Sequence, residues 1–326
     1  MKTQAKPILT AMAAAMASLV PTMLVGPSTA AAATYPEREI ELVVPYSAGG
    51  SVDAMARNFS KEFADKLKTS VVVRNREGAG GTIGVGAVAS APADGYTVLF
   101  SPSSPLTQAP YLIGKVPYDV KDIQPLCQIF ENPFVLAVKE DSPISSLQAL
   151  LESARSTPGE ATYGHAGLGS VPHLATAGLA QATNTELVDV PFKGDAQVLP
   201  QVLGGHVKFA AIGASNVAGK PLKVLAILGT NRLSAFPDVP AVSEFGVKDA
   251  VVARNGLYVR RDTPEEVRNK LSAACEAVTQ SEAFRQAAGK LTQEVRYMDA
   301  AAFEAQLEQD HKVNRSLIQK LGLRKE

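Results

Sequence analysis

The residues of this chain best suited to do chemistry are main-chain donors, not reactive side chains. The run Glu41-Leu-Val-Val-Pro45-Tyr46-Ser-Ala48-Gly49-Gly50-Ser51-Val-Asp53 reads as a buried strand, a glycine turn and a helix starting at that turn. The first amides of a helix have no partner inside it and carry the positive end of the backbone dipole, so such a junction suits an anion. Gly49 and Gly50 lack the Cβ atoms that would keep a ligand away. A similar junction recurs at Tyr163-Gly-His-Ala-Gly167-Leu-Gly169-Ser170-Val-Pro-His173. Two glycine turns facing one another can close around a carboxylate.

Reactive side chains are sparse by comparison. The four histidines, His165, His173, His206 and His311, show no HExxH or other metal-ligand spacing, so no metal is expected. Gly84-Val-Gly86-Ala-Val-Ala89 fits GxGxxA but lies inside a helical pattern and not at a strand-to-helix turn, which argues against a dinucleotide. There is no Walker loop and no Gly-x-Ser-x-Gly elbow, and no cofactor is expected. Cys127 and Cys275 are the only cysteines. An oxidising compartment would let them pair, but the commoner use of each is as a small buried side chain, and sequence does not show that they meet.

The elements that must position these loops alternate. Strand-like runs at 40–44, 71–74 and 97–100 are interleaved with helical patterns at 54–67 and 83–89, the signature of an α/β fold with a largely parallel sheet. Further strands are expected at 188–191, 207–212 and 224–228. Ser145-Ser-Leu-Gln148 marks a helix start by its capping-box pattern, and Thr263-Pro264-Glu-Glu marks another with proline at the first helical position. From Thr263 onward the pattern is helical, with Val267, Leu271 and Ala274 on one face and Phe303, Leu307, Leu317 and Leu321 following.

Lys2 and Lys6 precede an uncharged apolar run from Pro7 to Val25 and small residues from Ser28 to Ala33, which reads as a secretory leader, residues 1–33. Basic and acidic residues number 32 each, and removing Lys2 and Lys6 leaves 30 against 32, so nucleic acid is an unexpected partner. An apolar fraction of 46% fits folded cores, and the length after cleavage suffices for two domains.

The ordered set of short motifs resembles the substrate-binding proteins of tripartite tricarboxylate transporters, the Bug/TctC family. It comprises Tyr35-Pro36, Pro45-Tyr46, Gly49-Gly50-Ser51-Val52-Asp53, Asn75-Arg76, Gly78-Ala-Gly80-Gly81-Thr-Ile-Gly84 and Ala91-Pro-Ala-Asp94-Gly95-Tyr96-Thr97. Tyr118-Asp119, Tyr163-Gly164 through His173-Leu174, Pro191-Phe192-Lys193-Gly194 and Phe236-Pro-Asp-Val-Pro240 follow in the same order. The resemblance covers nearly all of the mature sequence. It implies an α/β, two-lobe periplasmic binding protein, a type II-like Venus flytrap with two crossing strands near 128–138 and 251–259. Lobe one would combine residues 34–132 with 254–326, and lobe two would be 133–253.

The resemblance also implies that a ligand carboxylate sits between the glycine loops. One wall would comprise Tyr46, Ala48, Gly49, Gly50, Ser51 and Asp53, and the other Gly167, Gly169, Ser170 and His173. Neutral amides fixed at helix starts hold an anion without the cost of burying a formal cation. Asp53 would cap its helix, the commoner use, or face a ligand ammonium. Ser103 and Ser104 follow a strand end, where ligands of open α/β sheets collect, and are expected hydroxyl donors or local turn formers. Lys193 is the nearest basic candidate from the second lobe. Gly213 stands in a segment, Ile212-Gly213-Ala214, without the acidic residue many relatives carry there. Arg254 is expected to read the distal carboxylate of a dicarboxylate, or else to point into solvent from the hinge.

The function so implied is a periplasmic, monomeric, non-catalytic receptor that delivers a small organic acid to a tripartite tricarboxylate-type membrane carrier. A sensor presenting ligand to a membrane kinase and a periplasmic hydrolase using the same cleft are the alternatives.

Overall fold

The computed structural model describes residues 35–46, 48–192 and 194–323; the expected leader, Ser47 and Lys193 lie outside them. The elements in chain order are β1 (Ile40–Val44), α1 (Ser51–Leu67), β2 (Val71–Asn75), α2 (Thr82–Ala89), β3 (Thr97–Pro102), α3 (Ser104–Thr107), α4 (Ala109–Leu112), β4 (Ile123–Asn132) and β5 (Phe134–Lys139). Then come α5 (Leu147–Ser156), β6 (Thr162–His165), α6 (Val171–Thr183), β7 (Val188–Pro191), α7 (Asp195–Leu203), β8 (Phe209–Gly213) and β9 (Leu222–Ile227). The chain closes with β10 (Ala253–Arg260), α8 (Glu265–Thr279), α9 (Glu282–Lys290), β11 (Glu294–Asp299) and α10 (Ala300–Lys320).

The strands form two sheets, a six-stranded one in the order β11-β4-β10-β3-β1-β2 and a five-stranded one in the order β7-β6-β8-β5-β9. β1 is buried along its whole length except Glu41, as expected of a parallel strand flanked by β2 and β3 and covered on both faces. α1 lays Met55, Phe59, Phe63 and Leu67 on that sheet at four-residue spacing, and Phe59 meets Phe63, Phe100 and Phe284 at ring distances of 4.9, 5.5 and 5.7 Å. The second sheet is packed by Leu147, Leu150 and Leu151 of α5 and Leu174 and Leu179 of α6 against Tyr163 and Phe209.

Strand directions decide where a ligand can go. β1, β2 and β3 run parallel and end at Val44, Asn75 and Pro102; β4 shares their direction because it is antiparallel to β10, itself antiparallel to β3. In the other sheet β6, β7 and β8 run parallel and end at His165, Pro191 and Gly213. The chain leaves β4 at Asn132 and enters β5 at Phe134, which pairs with Gly213; on the return, Ala253 pairs with Asn132. Both passages between the sheets therefore join carboxyl edge to carboxyl edge. Each βα loop that could bind a ligand, by the rule for open α/β sheets, lies along this seam.

One feature differs from the sequence reading, and another resolves a pairing that the sequence leaves open. The tail is not wholly helical: β11, at the sheet edge beside β4, interrupts it with the half-buried strand Glu294-Val-Arg-Tyr-Met-Asp299. A six-residue edge strand with one moderately apolar face gives little period-2 signal. Cys127 and Cys275 form a disulfide that fastens β4 to α8 across 148 residues of sequence. The middle of α10 is also polar on its buried side: Phe303 and Leu307 pack near the first sheet, Leu317 and Ile318 join the core of the second, and Asp310 and Asn314 lie between. A 21-residue helix is about 31 Å long, enough to span both layers.

Candidate functional site

The first glycine loop links β1 to α1 at the carboxyl edge. Its helix begins at Ser51 with Gly50 as the N-cap residue, and Ala48, Gly49, Gly50 and Ser51 are exposed. Asp53 is nearly inaccessible at 2% exposure, and it closes the loop from within. Its Oδ2 accepts the Gly49 N–H at 2.8 Å and the Arg57 Nε at 2.9 Å, while Oδ1 accepts Asn75 Nδ2 at 2.9 Å. Asn75, at the end of β2, also donates to the Tyr46 carbonyl at 3.0 Å. Burial pushes the Asp53 carboxyl up, but the bonds from Arg57, Gly49 and Asn75 together outweigh it and hold the group below the ordinary range. Asp53 is thus neither a side-chain N-cap nor a free partner for a ligand ammonium. It shapes the turn, and the amides that keep no intrahelical acceptor begin after Gly49.

Tyr46 leaves this loop toward the start of α3, its hydroxyl 3.5 Å from Ser104 Oγ. Gly81, at φ +94°, allows that approach: a Cβ there would sit 3.1 Å from the Tyr46 hydroxyl and 2.8 Å from Pro105. Ser103 is buried, and its amide donates to the Arg254 carbonyl at 2.7 Å, so its backbone is a structural tie between β3 and β10. Ser104 remains the better hydroxyl candidate.

The second glycine loop links β6 to α6. Gly169 adopts φ +74°, and a Cβ there would fall 2.5 Å from Leu112 at the end of α4, so this loop lies against a helix following the first sheet. Its interior is organised by two imidazoles. The rings of His165 and His173 stack in parallel, 4.4 Å apart. His173 Nδ1 accepts the Gly169 N–H at 2.9 Å. His165 Nδ1 lies 2.9 Å from the Gly167 carbonyl oxygen and 3.2 Å from the Gly167 nitrogen, and its Nε2 lies 3.4 Å from Asp189 Oδ2, so the ring's tautomer sets which of these contacts it donates and which it accepts. Burial, reinforced by the neighbouring His165, pushes His173 down to about 4. His165 is also lowered, mainly by burial, against the pull of Asp189. Both rings are neutral near pH 7.

His165, His173 and Asp189 do bring three potential metal-ligand atoms within 4.8 Å of one another, a convergence that spacing along the chain did not reveal. The His173 lone pair at Nδ1 is engaged by Gly169, which leaves the neutral ring's proton on Nε2 and no free lone pair for a metal. The cluster suits loop support better than coordination.

Several expected donors are already committed inside the protein. The Gly49, Gly167 and Gly169 amides are taken as above, Ser170 N donates to Gly167 O at 3.1 Å, and Gly213 N donates to Asp195 Oδ2 at 2.9 Å. Arg254 also departs from expectation. It is 5% exposed, with Nη1 2.7 Å from Glu131 and Nε 3.1 Å from Asp310, so its charge is balanced by two carboxylates at the sheet crossing and it neither faces solvent nor stands free for a ligand. Lys193 lies outside the described residues. What stays open is the Ser170 hydroxyl, a buried oxygen with no partner among the described residues at the N-cap of α6, together with the amides opening α1; Ser104 shares its hydroxyl with Tyr46. The sequence reading missed Asp195 and His165; an acidic residue directly after Lys193-Gly194 was the available signal for the first.

Two α/β sheets joined at their carboxyl edges, with glycine loops and helix starts lining the seam, define a two-lobed binding protein of the periplasmic type. The comparisons agree: the profile of the tripartite tricarboxylate transporter family receptor, TctC, matches residues 55–323, and the chain belongs to that family of solute-binding proteins. BugT of Bordetella pertussis is 37% identical over 232 residues, covering 68% of this chain and 69% of that protein. A ligand-free TctC solute-binding protein from Polaromonas superposes with a TM-score of 0.79 at 31% identity, over 88% of this chain and 100% of its own. Rpa4515 of R. palustris, solved with adipate, gives 0.74 at 26% identity over 88% and 98%.

Proposed function

We propose that this protein is a periplasmic receptor that captures one small organic acid between its glycine loops and releases it, chemically unchanged, to a tripartite tricarboxylate-type membrane carrier. The observation that carries this reading is the Ser170 hydroxyl, buried and unpartnered among the described residues at the start of a 13-residue helix, beside Gly169 and Ser170 amides that are satisfied internally. A buried hydroxyl without a partner costs about 1–3 kcal/mol, a cost relieved when an anion accepts its proton. The adipate held by a related structure supports a carboxylate as that anion.

The sheets serve as the cores of two lobes, with hinges at Pro133 and just before Ala253. Ligand bound to the open amides of α1 and to Ser170 favours the closed arrangement, because only closure engages both sides at once. No catalytic step is assigned: both cysteines are tied in the disulfide, and the histidines of the second loop hold backbone amides. Monomeric action follows, since each chain supplies both walls.

The test is a thermal-shift screen of the mature protein over C3 to C8 mono- and dicarboxylic acids, followed by calorimetry and recovery of the bound acid. At least one acid should raise the melting temperature and return unaltered. Ser170→Ala should weaken it about 10- to 100-fold, the loss of one charge-assisted hydrogen bond. Product accumulating over repeated turnovers, or no acid binding, would refute the proposal.

A further inference from the structure

Asp195 carries an unexplained oxygen on the same seam. It opens α7, and its Oδ2 is fully used, accepting the Gly213 N–H at 2.9 Å and Asn216 Nδ2 at 2.9 Å. Its Oδ1 is buried and has no hydrogen-bond partner among the described residues. Four contacts of its neighbours fix its place. Gly213 is the last residue of β8 and pairs with Phe134, the first residue past one crossing, while Ala214 donates to the Pro133 carbonyl at 2.9 Å. On the other side, Phe192 N donates to His165 O at 2.9 Å, and a Cβ on Gly167 would lie 3.4 Å from the Phe192 carbonyl. Asp195 therefore stands on the carboxyl edge of the second sheet, between the second glycine loop and the hinge.

A buried carboxylate oxygen without a donor is unfavourable, and burial indeed pushes the Asp195 carboxyl up, against the lowering effect of Gly213 and Asn216. Both of those partners donate, which suits an ionised carboxylate with Oδ1 as an acceptor. Arg254, at the same crossing, is already balanced by Glu131 and Asp310. A second ligand carboxylate arriving beside Asp195 would meet repulsion, and among these described residues no free cation offsets it.

We infer that Asp195 is a specificity-determining residue whose free oxygen accepts a hydrogen bond from a hydroxyl or ammonium group on the ligand, so that the preferred ligands are organic acids bearing such a donor away from the carboxylate held by the glycine loops, and not dianionic dicarboxylates. This rests on the receptor reading above and narrows its ligand class. Selection works by leaving Oδ1 unpaired when the donor is missing, which discriminates more strongly than apolar contact does.

Matched acids test it on the mature protein: 4-hydroxybutyrate and 4-aminobutyrate against succinate, and 6-hydroxyhexanoate and 6-aminohexanoate against adipate, by calorimetry at neutral pH. In at least one series the hydroxy or amino acid should bind about tenfold or more tightly than the dicarboxylate. Asp195→Asn keeps an oxygen for Gly213 and Asn216 but turns an N–H donor toward the ligand, so it should reverse that preference. The inference is overturned if the dicarboxylate binds the wild type as tightly as its partners in both series, or if the substitution leaves the ratio unchanged. The wild-type comparison stands even where the variant fails to fold. Dicarboxylate binding alone would sink this inference and leave the receptor reading intact, whereas no binding by any acid would remove both.

Discussion

The two glycine loops occupy equivalent places, each following a parallel strand and opening a helix at the carboxyl edge of its sheet, yet they are held by opposite means. An ionised carboxylate, Asp53, braces the first from inside, with Arg57 and Asn75 around it. Two neutral stacked imidazoles, His165 and His173, brace the second. The first loop is exposed with open space around Gly49, whereas the second is packed against Leu112. One loop is therefore stiffened by buried charge, and the other depends in part on the His173 lone pair, which acid removes. The same backbone task has been solved with different sensitivities, and these can be pulled apart.

The largest contrast is expected from Gly169→Ala. A left-handed backbone costs a non-glycine residue about 1–2 kcal/mol and overpacking adds about 1–3, so urea denaturation should show a loss of about 2–5 kcal/mol. Next is acid. His173 titrates near 4 in the folded chain and at its ordinary 6.5 when unfolded, so the unfolded chain binds more protons between these values. Stability is then full above about pH 6.5 and falls by about 2–3 kcal/mol as pH drops toward 4. His173→Gln should remove the larger share of that slope. Asp53 behaves differently: its folded value lies below the ordinary 3.8, so its contribution is present above that pH and is lost only below it. Equal acid sensitivity of both loops, followed by amide exchange at Gly49 and Gly169, would erase the contrast.

Asp53→Asn should cost about 2 kcal/mol at neutral pH, since it weakens three bonds but leaves a half-exposed Arg57 free to be solvated. The smallest effect belongs to Gly49→Ala, about 1–2 kcal/mol, because φ is +84° but nothing lies within 4 Å of the added Cβ. A Gly49→Ala penalty matching that of Gly169→Ala would show that the packing against Leu112 contributes nothing.

Much of this architecture was legible in the chain. Strand-turn-helix junctions at residues 41–57 and 163–174 and the alternation of βα units follow from local pattern, whereas the crossings, expected near 128–138 and 251–259, come from the family resemblance alone. What escaped depended on contacts distant in sequence. Arg254 reads as a free guanidinium until Glu131 and Asp310, 123 and 56 residues away, close on it. The Cys127–Cys275 bond and the His165–His173–Asp189 convergence are likewise tertiary, and β11 hid inside a helical tail because an edge strand needs little apolar alternation. Even correctly placed loop residues misled in one respect: sequence marks Gly49, Gly169 and Gly213 as donors but not that Asp53, His173 and Asp195 already take their amides.

The most direct measurement is a crystal structure of residues 34–326 with the acid that most raises the melting temperature. The expected result places one ligand carboxylate within hydrogen-bond distance of both Ser170 Oγ and the amides opening α1, with the lobes closed around it. A ligand held elsewhere, such as the 520 Å³ groove that Gln181, Lys248 and Lys312 line between α6 and α10, with Ser170 still unpartnered, would contradict it.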